Sequence, residues 1–169
     1  MVDEVALDMS QVKPFEAIDD RIPYRCRVDK IEIKKASTGA DAAFVEFVVT
    51  EPKEVQGISA VLDKKGNLVL DSDGNAQVGD PMVDAEGNPV MVKSENRRLF
   101  RTYTFGGSAL PFLHEFSKAA DPSIELNENF IFKPANYLGL DVGVRVKNEG
   151  YQEQIRARVA KVIPVSAVS

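Results

Sequence analysis

The chain has few of the residues that build metal sites and covalent cross-links. Its 169 residues include one cysteine, Cys26, one histidine, His114, and no tryptophan. One cysteine excludes an intrachain disulfide and a cysteine-built zinc site, and one histidine excludes a metal site made of several histidines. The lack of tryptophan argues against a sugar-binding surface, because such surfaces favour broad aromatic platforms. We expect a buried core thiol at Cys26. We expect His114 to be a surface or half-buried residue of a helix, without a catalytic role.

Motifs that carry catalysis are absent as well. There is no Walker A lysine motif, no Gly-x-Gly-x-x-Gly and no nucleophile elbow. Gly106-Gly107 precedes a helix, but a strand-to-helix turn explains this pair as well as phosphate capture does. The acids Asp71 and Asp73 lack the glycine and glutamate that an EF-hand places further along its loop. The sequence therefore predicts a protein that is not an enzyme and that holds no metal or cofactor.

The sequence also lacks a run of about eighteen apolar residues, so it predicts no transmembrane helix. It begins Met1-Val-Asp-Glu, which is acidic where a signal peptide is basic, and we expect no secretory leader. A hydrophobic content of 44% is enough to build a core. These features predict a cytoplasmic location.

Charge is unevenly distributed along the chain, which has a net charge of −5. Residues 1–20 carry −5 and residues 58–96 carry −4, whereas residues 21–57 carry +1 and residues 97–169 carry +3. The two segments outside the acidic regions therefore carry +4 together. Because local charge decides whether a surface attracts phosphate, nucleic-acid binding stays open despite the acidic total.

What the chain does contain is a series of strand patterns around one helix. The strands are expected at Ile22–Lys34, Ala43–Glu51, Arg97–Phe105, Asp141–Lys147 and Gln154–Ile163, and the helix within Gly107–Ala120. Three strands, a helix and two more strands is the order of the OB-fold, a five-stranded Greek-key barrel that binds oligonucleotides or oligosaccharides. We therefore predict a mainly β, OB-fold-like barrel with one helix between its third and fourth strands.

The first strand changes phase part-way along. Its apolar residues fall on even numbers as far as Val28 and on odd numbers from Ile31. Strict alternation cannot do this in a straight strand, so the pattern predicts a bulge or bend near Asp29-Lys30. Bent first strands help small barrels to close.

The helix has recognisable ends. Ser108 is the expected N-cap, Pro111 fits the first turn, and Asp121-Pro122 is expected to stop the helix. The stripe expected to face the barrel consists of Leu110, Leu113, Phe116 and Ala120.

Four regions are predicted from these patterns. Residues 1–20 form an acidic, partly flexible arm that Pro14-Phe15 can anchor, residues 21–164 form a single domain, and residues 165–169 form a short tail. Within the domain, residues 58–94 form an insert between the second and third strands. Its turn signals are Lys65-Gly66-Asn67, Asp73-Gly74-Asn75 and Glu86-Gly87-Asn88. Because glycine and asparagine tolerate positive φ, these signals predict small β-hairpins.

The strongest functional constellation is basic and aromatic. In the last two strands, Val142, Val144 and Val146 are expected to face inwards, and Gly143 and the neighbouring bases outwards. The predicted phosphate contacts are Arg25, Arg27, Arg98, Arg145, Lys147, Arg156 and Arg158. The predicted stacking residues are Phe44, Phe100 and Tyr151, the last in an expected loop at Asn148–Glu153. Stacking on a ring is worth about 1–3 kcal/mol per base.

Two observations favour a plainer interpretation of this face. Outward bases are ordinary on an antiparallel sheet, and Glu46, Glu149 and Glu153 can neutralise some of them. Tyr103 is in phase with Leu99 and is therefore expected in the core.

Three stretches carry a family resemblance. Tyr24–Gly39 is a strand that ends in a Lys-x-Ser-x-Gly-like turn, and Phe44–Val49 is the next strand. The third stretch, Leu138–Tyr151 with Val162–Pro164, has a glycine-led strand, a tyrosine turn and a closing strand that ends in proline. In these stretches the chain resembles a family of small phage-encoded single-stranded DNA-binding proteins with an OB-fold. The long 58–94 insert departs from the family's pattern.

The resemblance implies a protein that binds single-stranded DNA without sequence specificity in phage DNA replication or recombination. It implies a location in the cytoplasm of a bacterial host, and replication or recombination proteins or further copies of the chain as partners. Two alternatives stay open. One is a non-enzymatic interaction module of phage or bacterial origin that binds protein through the acidic insert. The other is an OB-fold binder of carbohydrate or a small ligand.

Overall fold

The computed structural model describes residues 16–72, 74–151 and 154–168, together with Glu4. These residues form a mainly β fold with one α-helix, which confirms the predicted class. The strands are β1 (Glu16–Ala17), β2 (Tyr24–Lys35), β3 (Asp41–Glu51), β4 (Glu54–Gln56), β5 (Ile58–Ala60), β6 (Val78–Pro81), β7 (Met91–Lys93), β8 (Arg98–Thr104), β9 (Asp141–Tyr151) and β10 (Gln154–Pro164). The helix, α1, spans Leu110–Ala120 and is too short to cross a membrane.

A five-stranded antiparallel sheet forms the centre of the molecule. Its strand order is β10-β9-β2-β3-β8, so β2 lies in the middle and β8 and β10 form the two edges. The helix α1 follows β8 in the chain and packs against β8, β9 and β10.

The predicted bulge in the first strand is confirmed. The register between β2 and β3 shifts between Val28 and Lys30, so Asp29 is the extra residue. Before the shift, Cys26 and Val28 are fully buried. Beyond it, Lys30 and the other even-numbered residues turn outwards, because one inserted residue exchanges the two faces of a strand.

Aromatic rings fill the core between the sheet and α1. The ring of Phe116 lies 5.1 Å from Tyr103, 5.3 Å from Tyr137 and 5.8 Å from Phe47, measured between ring centroids. Tyr103 is buried, as predicted from its phase. Cys26 is also buried as predicted, and its burial raises the pKa of the thiol to about 12.

The start of α1 differs from the prediction. Ser108 belongs to a 3₁₀ turn, Gly107–Ala109, and the N-cap is Ala109 without a side-chain hydrogen bond. Leu110 is 50% exposed, so it does not belong to the buried stripe. The 3₁₀ turn therefore moves the N-cap on by one residue, from Ser108 to Ala109. The predicted end is confirmed, since α1 stops at Ala120.

The N-terminal segment is held by residues just after the expected anchor. Ala17 pairs with Ile58 of β5, and Ala17 and Ile18 are each 1% exposed. The main-chain oxygen of Ile18 accepts a hydrogen bond of 3.0 Å from Nδ2 of Asn148. The predicted anchor, Pro14-Phe15, lies outside the described residues.

Three turns in the 58–94 insert share the sequence Asp-x-x-Gly-Asn, starting at Asp63, Asp71 and Asp84. In the first, Oδ1 of Asp63 accepts hydrogen bonds from the main-chain N–H of Lys65 at 2.8 Å and of Asn67 at 2.9 Å. The third turn repeats this arrangement. The main-chain hydrogen bonds hold the pKa values of Asp63 and Asp84 below the usual range. These aspartates therefore fix the turns from within.

The last two strands are longer than predicted. Their pairing runs from Pro164 opposite Val142 to Gln154 opposite Tyr151, so the expected loop at Asn148–Glu153 is wrong for residues 148–151. The expected exposure of Gly143 is also wrong. Gly143 is buried because the chain after β10 passes over it, and a Cβ at this position would lie 2.5 Å from Cγ2 of Val168.

Candidate nucleic-acid interface

The outer face of the sheet carries two rows of side chains that run across β2, β3 and β8. Cross-strand pairing sets out these rows as Lys30, Glu46 and Phe100, and then Glu32, Phe44 and Thr102. Alternation places both rows opposite the buried residues of the same strands, such as Phe47 and Leu99.

Two clefts meet on this face. The first, of about 400 Å³, extends from Lys34 and Phe44 to Phe100. The second, of about 440 Å³, lies between the edge strands β8 and β10 and reaches Arg158. Both clefts are lined by Phe100, Arg101, Thr102 and Arg156. They therefore form one continuous depression from Lys34 to Arg158, which we call the cross-sheet groove.

Two phenylalanines supply the flat surfaces of the groove. Phe100 is 63% exposed, so much of its ring faces solvent. Phe44 is partly buried, and Nζ of Lys34 lies 4.5 Å from its ring centroid. Because Phe44 pairs with Thr102, Phe44 and Phe100 are diagonal neighbours on one face, a relationship that sets Cα atoms about 7–8 Å apart. A planar group can stack on the exposed ring of Phe100, whereas the ammonium group of Lys34 already covers one face of the Phe44 ring.

One carboxylate organises the bases of the β9–β10 hairpin. Oε1 of Glu149 accepts a hydrogen bond of 2.7 Å from Nε of Arg156, and its Oε2 lies 3.2 Å from Nε of Arg158. Nη2 of Arg158 also donates a hydrogen bond of 3.0 Å to Oδ1 of Asn75 in the insert. Lys147 lies directly opposite Arg158. Arg156 and Arg158 therefore share the carboxylate of Glu149, and Lys147 lies beside them on the same hairpin.

Arg98 is committed to two carboxylates. It donates hydrogen bonds to Glu46 and, at 3.0 Å, to Asp29. The hydrogen bond from Arg98 lowers the pKa of Asp29, which also pairs with Arg27 at 3.3 Å. Arg98 and Arg27 therefore lie next to the groove with their charges compensated.

The remaining predicted residues lie elsewhere or outside the described part. Arg25 pairs with Asp141 at 2.7 Å and lines a separate cleft. Arg145 lies opposite Lys161, further along the β9–β10 hairpin. Tyr151 ends β9, and its side chain is not among those that the structure describes. The structure thus brings Phe44, Phe100, Arg156 and Arg158 together in the groove, with Lys147 and Arg98 beside them.

Sequence reasoning missed Arg101 and two lysines. Arg101 is two residues after the buried Leu99, so alternation predicts that it faces inwards. Its guanidinium instead reaches from β8 to the main chain of β10. No signal in the sequence distinguishes this position. Lys30 and Lys34 could have been found, because the predicted bulge turns the even-numbered residues outwards.

Neither a protein-family model nor a curated protein matches this chain. Within the described ranges, no group of three histidine, cysteine, aspartate or glutamate side chains is placed to hold a metal ion. The residues of the groove define what it can do chemically. Exposed rings stack on planar groups, and guanidinium and ammonium groups bind phosphate.

Proposed function

We propose that this protein binds single-stranded DNA without sequence specificity, with the strand lying in the cross-sheet groove. The observation that carries the proposal is the position of Phe100. Its exposed ring lies where the two clefts meet, with Phe44 towards one end and Arg158 towards the other. The unpaired bases of a single strand can stack on such rings, whereas the bases of a duplex are stacked on one another.

The order of the strands supports an OB-fold as the scaffold. A sheet in the order β10-β9-β2-β3-β8, with α1 between β8 and β9, matches the connectivity expected of that Greek-key barrel. OB-folds bind oligonucleotides on the face of their second and third strands. On the proposed scaffold the second and third strands correspond to β3 and β8, which carry Phe44 and Phe100.

The charges of the groove support a binding mode without base reading. Lys30, Lys34 and Arg156 line it, and such side chains contact phosphates that are the same at every nucleotide. Several of these cations are already paired with carboxylates, so phosphates must compete with those pairs. We expect affinity that falls as salt is added, because each phosphate contact releases counterions from the DNA.

The resemblance to phage-encoded single-stranded DNA-binding proteins supports a role in phage DNA replication or recombination. In that role the protein acts by binding and protecting single strands in the bacterial cytoplasm. Replication or recombination proteins are its proposed partners.

A titration of fluorescent oligo-dT across a salt series tests the proposal, with an unlabelled duplex of equal length as competitor. We expect binding at low salt, weak competition by the duplex, and a logarithm of affinity that falls linearly with the logarithm of salt concentration, by about 0.7 for each phosphate contact. An oligo-dT that fails to bind at low salt would overturn the proposal. A duplex that competes as well as unlabelled oligo-dT would contradict binding by base stacking.

A further inference from the structure

The second Asp-x-x-Gly-Asn turn of the insert docks on the central sheet. The main-chain N–H of Ala76 donates a hydrogen bond of 3.0 Å to the oxygen of Asn148, and the N–H of Gly150 donates one of 3.2 Å to the oxygen of Gly74. β2 pairs with β9 only over residues 141–144. The turn therefore occupies the edge of β9 that β2 leaves open further along.

This docking brings an insert side chain to the end of the groove. Asn75 pairs with Glu149 in an isolated antiparallel bridge, and its Oδ1 accepts the 3.0 Å hydrogen bond from Nη2 of Arg158. Arg158 is thus held from two sides, by a carboxylate of its own hairpin and by an amide of the insert. The corresponding asparagines of the other two turns are Asn67 and Asn88. The hydrogen bonds recorded for them in the described part of the chain stay within their own turns.

We propose that Asn75 is a positioning residue for DNA binding, which fixes the guanidinium of Arg158 at the end of the groove. The inference rests on the proposed function and gives the insert a role in the binding site. A long side chain that is already held in one orientation loses less conformational entropy when it binds a phosphate. Because Asn75 is neutral, it acts on the geometry of Arg158 and leaves the charge of the groove unchanged.

Asn75→Ala tests the proposal against two matched controls, Asn67→Ala and Asn88→Ala. All three variants remove the same side chain from the same position of the same kind of turn. We expect Asn75→Ala to weaken binding to oligo-dT by about three- to tenfold, the effect of one net hydrogen bond. The slope of affinity against salt should stay at the wild-type value, because no charge is lost. The two controls should bind within about twofold of the wild type.

A double-mutant cycle with Arg158→Ala tests whether Asn75 affects DNA binding through Arg158. If Asn75 acts through Arg158, then Asn75→Ala has no further effect once Arg158 is alanine, and the two losses are not additive. Thermal melting of each variant separates a loss of binding from a loss of fold. Additive losses would overturn the positioning role.

The remaining outcomes distinguish this inference from the proposed function. If the wild type binds oligo-dT and Asn75→Ala binds as the two controls do, the positioning role is wrong and the proposed function stands. If the wild type does not bind oligo-dT at low salt, the proposed function is wrong and the positioning role falls with it.

Discussion

The guanidinium of Arg101 joins the two edges of the central sheet through the main chain of Ala160. Nη1 of Arg101 donates a hydrogen bond of 3.0 Å to the oxygen of Ala160 and a longer one of 3.3 Å to that of Val159. The register between β9 and β10 shifts between Val159 and Lys161, which leaves Ala160 without a partner on β9. Arg101 also lies against Phe112, with its guanidinium carbon 4.9 Å from the ring centroid. One side chain therefore spans the gap between β8 and β10.

Arg101→Ala should destabilise the fold. We expect the free energy of unfolding to fall by about 1–3 kcal/mol, because partly buried main-chain oxygens lose their donor. The free energy of unfolding of Arg101→Lys should lie between those of Arg101→Ala and the wild type. An ammonium group can still donate a hydrogen bond but lacks the planar fork of a guanidinium. Urea denaturation measures all three proteins. Arg145→Ala, an exposed arginine on β9, is the control, and an equal loss in both alanine variants would contradict this role.

Phe100→Ala should weaken single-strand binding without changing its dependence on salt. Loss of one stacking surface costs about 1–3 kcal/mol, and a ring that contacts no phosphate releases no counterions. Titration of oligo-dT at three salt concentrations gives both quantities. Ile131→Ala serves as the control, because Ile131 is 70% exposed and lies on the loop that follows α1. A shallower salt slope in Phe100→Ala would show that the ring is not a simple stacking surface.

Reversing the charges of Arg156 and Arg158 together to glutamate should reduce both affinity and salt slope. If each arginine contacts one phosphate, the slope should fall by about 1.4, since each contact contributes about 0.7. The control reverses Arg145 and Lys161, a cross-strand pair on the same hairpin, and makes the same change in net charge. If the control loses as much affinity as the test variant, the effect comes from overall charge and the groove is not the binding site.

Acid should loosen the insert turns at Asp63 and Asp84. Main-chain donors hold the pKa of each folded carboxyl below its ordinary value. The stabilisation is therefore complete above the unfolded pKa, about 3.9, and is lost as the pH falls through the lower folded value. Amide exchange at Gly66 and Gly87 reports on the two turns.

Asp84→Asn separates this effect from general acid unfolding. The variant should remove the acid transition at Gly87 and leave that at Gly66 intact, because an amide does not titrate in this range. An unchanged transition at Gly87 in the variant would mean that another group controls the turn.

Phe116→Ala should be strongly destabilising. The ring is fully buried and lies within 5.8 Å of three other aromatic rings, between centroids. Removing a buried phenylalanine ring costs about 3–5 kcal/mol through lost transfer energy and the cavity that remains. Phe112→Ala, a change of the same type on the exposed side of α1, should cost far less. Urea denaturation compares them, and similar costs would contradict the packing described for α1.

Local rules predicted the parts of the fold that depend on one segment at a time. The change of phase after Val28 was sufficient to predict the bulge, because a strand can exchange its faces only by inserting a residue. Asp121-Pro122 predicted the end of α1, because proline lacks the N–H that would continue the helix and disfavours a helical conformation in the residue before it. The start of α1 was misjudged because Gly107–Ala109 forms a 3₁₀ turn, and its sequence also fits the first turn of an α-helix.

Contacts between distant segments were not predictable in this way. Arg101 has the phase of a core residue, and only the unpaired Ala160 on a strand far along the chain explains its position. The docking of Asn75 depends on an edge of β9 that is open because β2 pairs with only part of it. The sequence indicated that Glu149 can neutralise an outward base, but not that it pairs with both Arg156 and Arg158.

The docked turn at 74–76 has a further consequence for how copies of this protein behave at high concentration. An open strand edge presents a row of main-chain donors and acceptors to which a neighbouring molecule can add a strand, and such pairing starts aggregation. Gly74 and Ala76 occupy those groups on β9. Asp71, at the start of the same turn, adds an acidic residue next to them. The 58–94 insert therefore covers an edge of the central sheet that would otherwise be open to strand addition.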